Sequence, residues 1–77
     1  MNIAAFTARH VAEAEAQAAR YRAEARSDRK KADAALGFGD RAGYERWMRQ
    51  AARCDQWAAE SEKTADDFRA INAEVLA

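Results

Sequence analysis

The chain has 77 residues, balances 13 basic against 13 acidic side chains, and contains one cysteine and no proline. A neutral net charge gives no global pull toward nucleic acid or anionic membrane, and a single Cys excludes an internal disulfide and fits a reducing compartment. Of the 38 apolar residues 22 are alanine, against two Leu, two Ile and two Val; that composition favours helix strongly but a thin core, because alanine buries little area.

Read in order, the first helix is expected to start at Asn2, a reasonable N-cap, and to run to about Leu36. Its seam is Ala4, Thr7, Val11, Ala14, Ala18, Tyr21, Ala25, Asp28, Ala32 and Ala35, in alternating steps of three and four. Ile3, Phe6 and His10 widen the seam near the N-terminus. Polar Ser27-Asp28 interrupts it, as a bend, a buried ion pair or a drift of the seam around a straight helix.

Leu36-Gly37-Phe38-Gly39-Asp40 is the one strong break. Gly37 is expected to take the left-handed conformation that closes the helix, with Phe38 folding back onto the last turn. Asp40 is the expected N-cap of the next helix, and Gly43 weakens its first turn slightly. The turn therefore spans about 37–40, as suits antiparallel neighbours.

The second helix is expected over about 41–75. One seam row is Tyr44, Ala51, Ala58, Ala65 and Asn72; the other is Trp47, Cys54, Ser61, Phe68 and Val75. Small residues in one row and larger ones in the other let two helices approach closely. Glu45/Arg49, Glu60/Lys63 and Asp66/Arg69 have the spacing of intrahelical ion pairs. If the chain folds about Phe38, positions summing to about 76 face each other, which brings Tyr21 near Cys54 and Trp57.

The expected fold is all-α: residues 1–77 form one domain, an antiparallel hairpin of two long helices. Two thin helices are a marginal core, so the hairpin is expected to form a homodimer, a four-helix bundle. The start Met and compact length suggest a complete small product. No apolar run reaches membrane-spanning length and no signal-peptide layout opens the chain, so a cytoplasmic location is expected.

No residues assemble into catalytic, metal or cofactor motifs. His10 lies three residues from Glu13, but a lone seam-edge histidine is ordinarily packing; Cys54 reads as a small buried hydrophobe. No cofactor is implied, and the chain is expected not to be an enzyme. Trp47, Met48, Trp57, Phe38 and Phe68 are more aromatic and sulfur-bearing surface than one hairpin face hides, and the candidate interface residues are Trp47, Met48, Trp57, Phe68 and Tyr21. They read as a dimer core or as an anchor patch for another protein, with Met48 and Trp57 on the flanks of the seam.

Charge is polarised along the chain. Residues 20–53 hold ten basic and five acidic residues, net +5, and the rest hold three basic and eight acidic, net −5. Arg22, Arg26 and Arg29 with Lys30 and Lys31 form one basic group, and Arg46, Arg49 and Arg53 another. This half can be an ordinary solvated face, an end that meets the acidic end of another copy, or a site for an acidic partner. The expected function is stoichiometric protein binding, as by a small inhibitor or adaptor, a class that includes phage-encoded inhibitors of host defence. The alternative is nucleic-acid binding through the basic half.

Overall fold

A computed structural model describes residues 2–77. Two helices, α1 (Ile3–Gly37) and α2 (Arg41–Leu76), pack against each other as an antiparallel hairpin. The molecule is a rod of 57 × 14 × 13 Å with a radius of gyration of 17.3 Å, whereas a globular chain of this length measures about 11–12 Å. No helix among the described residues is long and apolar enough to cross a membrane.

Both helix starts are capped by side chains. Asn2 Oδ1 accepts from the Ala4 and Ala5 N–H groups at 2.8 and 3.4 Å. Asp40 Oδ1 accepts from Gly43 N–H at 2.8 Å, satisfying a donor the helix itself leaves free. Gly43 is buried, and a Cβ there would overlap the Asp40 carboxylate. Gly43 therefore makes room for the cap, a role beyond the weakened first turn its composition implies.

The turn differs from the expected one in which glycine bends. Gly37 stays helical; Gly39 carries the positive φ, 77°. Asp40 N–H donates to Ala35 O at 2.8 Å and Gly39 N–H to Leu36 O at 3.0 Å, the paired bonds of a Schellman cap with Gly39 as its left-handed residue. Phe38, expected to fold back, is 92% exposed at the tip. With the closing glycine two residues later, the hairpin folds about Gly39. Facing pairs such as His10/Phe68 and Tyr21/Trp57 consequently sum to 78 rather than 76.

The seam is nearly all alanine. Ala14, Ala18, Ala25 and Ala32 of α1 and Ala51, Ala58 and Ala65 of α2 are buried, and Cys54 is the largest fully buried side chain. At one end Thr7, also buried, donates across the seam to Asn72 Oδ1 at 2.8 Å. α1 passes through Ser27-Asp28 without a break, and Asp28 is 7% exposed inside the seam. It forms no ion pair among the described residues; the thiol of Cys54 lies 3.8 Å from its Oδ2.

Candidate protein-interaction surface

A seam of alternating threes and fours leaves one row of residues along each side of it, and the two sides of this rod differ in chemistry. On one side Glu15, Arg22 and Arg29 step by seven along α1, opposite Asp55, Glu62 and Arg69 on α2. Arg22 Nη1 meets Asp55 Oδ1 at 3.1 Å and its Nη2 meets Glu62 Oε1 at 3.0 Å. Arg29 also pairs with Asp55, and Arg69 with Glu15. Arg29, then Arg22, hold the Asp55 carboxyl below its usual range, against the opposing effect of its partial desolvation. Glu62, then Asp55, raise the Arg22 guanidinium above its already high value. This ionic flank satisfies its own charges.

The opposite flank is aromatic and apolar. The His10 ring stacks on Phe68 with centroids 4.9 Å apart and meets Phe6 edge-on at 4.2 Å. Tyr21 and Trp57 pack at 5.5 Å, and Gln17 Nε2 donates to the Tyr21 hydroxyl at 3.2 Å. Lys31 Nζ sits 4.6 Å above the centre of the Trp47 ring, a cation–π contact. Trp57 remains 41% exposed, and Ile3, Phe6 and Ile71 are exposed along the same side.

The sequence-predicted anchor residues separate accordingly. Tyr21, Trp47, Trp57 and Phe68 share the aromatic flank. Met48 stands seven residues before Asp55, which puts it on the ionic flank, and it is half-buried there. The basic residues divide as well. Arg22 and Arg29 are paired with carboxylates, and Lys31 caps Trp47. Arg46 and Arg53 border the aromatic flank. Arg26, Lys30 and Arg49 are exposed with no carboxylate partner among the described residues. Of the expected intrahelical pairs, Asp66/Arg69 forms at 2.8 Å; Glu45 instead pairs with Arg41, and Lys63 with Asp67.

A shallow groove of about 490 Å³ opens on the aromatic flank between Asp28, Lys31, Arg46, Trp47, Gln50 and Arg53. Cys54 closes the seam beside it, with its Sγ 3.7 Å from Glu24 Oε2. Burial first, then the charge of Asp28 and the contact with Glu24, push the thiol above its ordinary value, the reverse of what a nucleophilic cysteine needs. His10 lies 3.7 Å from Glu13 Oε2 and otherwise touches rings. No group of three metal-ligating side chains converges among the described residues.

Sequence reasoning missed Asp55 as the hub of two arginines and Glu15/Arg69 as a cross-helix pair. The signal was present in the seven-residue spacing of these charges on both helices. No protein-family model matches this sequence, and no curated protein or solved structure is detectably similar to it.

Proposed function

We propose that this hairpin is a non-enzymatic protein-binding module that acts by stoichiometric contact, as a small inhibitor or adaptor does, through its aromatic flank. One observation carries this reading: the two flanks are unequal. The ionic flank compensates its own charges, while the other leaves Trp57, Phe6, Ile3 and Ile71 exposed in one strip. Exposed aromatics, with Arg46 and Arg53 bordering the same flank beside Trp47, are the composition that protein interfaces favour.

Nucleic-acid binding has less support. Arg22 and Arg29 are paired with carboxylates, which leaves a broken basic surface in a chain of zero net charge. The test compares wild type with Trp57→Ala. Association with protein, whether a second copy or another chain, is expected to fall at least tenfold in the variant, with helicity unchanged by circular dichroism and little dependence on salt. Binding to a mixed-sequence DNA duplex that vanishes steeply with salt and ignores Trp57→Ala would replace this reading with the nucleic-acid one.

A further inference from the structure

We infer that the occupant of the aromatic flank is a second copy of this chain, docked head to tail about a two-fold axis that crosses the rod beside the Tyr21–Trp57 pair. The inference rests on the flank being a protein-binding surface and adds the partner and its orientation.

The aromatic pair lies at the centre of the rod. α1 spans Ile3–Gly37 and α2 spans Arg41–Leu76, so Tyr21 and Trp57, in ring contact, fall within two residues of the midpoints of both helices. An axis through the middle of a rod sets like against like only at its centre. There Trp57, the exposed aromatic, meets its own equivalent. Everywhere else the axis exchanges the two ends.

Charge then selects the orientation. On the turn side of that axis residues 22–56 hold nine basic and six acidic side chains, net +3, and the open side holds four basic and seven acidic, net −3. Side-by-side docking with both turns together would set +3 against +3. Head-to-tail docking sets each basic half over an acidic half, along a rod of 57 Å, several times the screening length of about 8 Å at physiological salt.

Individual residues agree with that orientation. On α2 the row bordering the aromatic flank is Arg46, Arg53, Glu60, Asp67, at intervals of seven; Arg46 and Arg53 line the groove beside Trp47, which fixes this row on that side. Reversal about a point between residues 56 and 57 exchanges 53 with 60 and 46 with 67. It brings Arg53 to Glu60 of the second copy and Arg46 to Asp67 of the second copy, each twice. On α1 reversal about residue 22 brings Arg20 to the second copy's Glu24 and Lys31 to its Glu13. Residue 22 lies level with residue 56 in the observed pairing, so one axis serves both helices. A surface that complements itself in this way is what a two-fold interface requires.

The test is molar mass by light scattering over a wide concentration range, on wild type and on charge-reversed chains checked for helicity. Wild type is expected at twice 8.6 kDa. Trp57→Ala is expected to be monomeric. Arg46→Glu/Arg53→Glu makes the bordering row wholly acidic, and Glu60→Arg/Asp67→Arg makes it wholly basic. Each alone is expected to be monomeric, and an equimolar mixture is expected to recover the dimer mass. Arg26→Glu/Lys30→Glu changes net charge equally but lies away from this flank and is expected to weaken the dimer far less than the row reversals do. Wild type that is monomeric throughout overturns the second copy as occupant and leaves the flank for another protein. A dimer broken by Trp57→Ala but indifferent to the reversed rows overturns the head-to-tail arrangement alone. So does a dimer broken equally by Arg26→Glu/Lys30→Glu. A dimer indifferent to Trp57→Ala overturns both the arrangement and the flank as a binding surface.

Discussion

Arg22 donates to Glu62 through both Nε and Nη2, at 3.2 and 3.0 Å, while its Nη1 reaches Asp55 on the preceding turns of α2. One guanidinium thus ties two carboxylates seven residues apart to the opposite helix. A lysine, with a single ammonium, cannot span them. Arg22→Lys is expected to lower the thermal midpoint slightly at low salt, and the difference should shrink in 1 M salt. An unchanged midpoint at low salt would mean the network is idle.

The same network sets a direction for acid stability. Asp55 is held below the usual carboxyl range by Arg29 and Arg22. A depressed folded-state pKa contributes stability that is complete above the ordinary Asp value near 3.9 and is lost as pH falls through the lower folded value. Asp55→Asn should therefore narrow the stability difference between pH 6 and pH 2. Chemical denaturation of both proteins across that range checks it, and parallel curves would contradict it.

The three glycines should respond to alanine in different directions. Gly37 is helical with open space around its Cα, so Gly37→Ala should stabilise by about 0.5–1 kcal/mol. Gly39→Ala forces a Cβ onto a φ of 77° and should cost about 1–2 kcal/mol. Gly43→Ala displaces the Asp40 cap; its helical gain of about 1 kcal/mol is offset by a cap loss of similar size. Urea unfolding at fixed protein concentration ranks the three.

Overpacking the seam should be costly because nothing there can yield. Ala25, Ala51 and Cys54 form a fully buried cluster. Ala51→Leu should destabilise by about 1–3 kcal/mol, whereas the same change at exposed Ala52 should be within about 0.5 kcal/mol. A stabilising Ala51→Leu would mean the helices sit farther apart than described.

Asp28 is a carboxylate in an alanine seam, without an ion pair among the described residues. Asp28→Ala continues the seam and removes a buried polar group, and should stabilise by about 1 kcal/mol. Loss of stability would show that its thiol contact outweighs its desolvation.

Much of this fold was legible in the residues. Every buried side chain of α1 belongs to the three-and-four seam read from the sequence, as do Ala51, Cys54, Ala58 and Ala65 of α2. Asn2 and Asp40 announced the helix starts. The closing glycine was not legible, because Gly37 and Gly39 are chemically alike and only the hydrogen bonds from Gly39 and Asp40 to Leu36 and Ala35 distinguish them. Nor was the separation of Met48 from Trp47. Adjacent residues point about 100° apart on a helix, and which flank each joins depends on where the partner helix lies.

What the sequence by itself determined is therefore local. Alanine propensity, seam period and capping residues act within a few turns of one chain, and they settle two long helices and a tight reversal. What only the tertiary structure decided is the pairing across the seam. A shift of the fold centre from Phe38 to Gly39 changes which side chains meet, and with it which arginines are neutralised and which aromatic is left exposed. Those outcomes depend on distances between residues far apart in the chain, so they follow from the register of the two helices rather than from either helix alone.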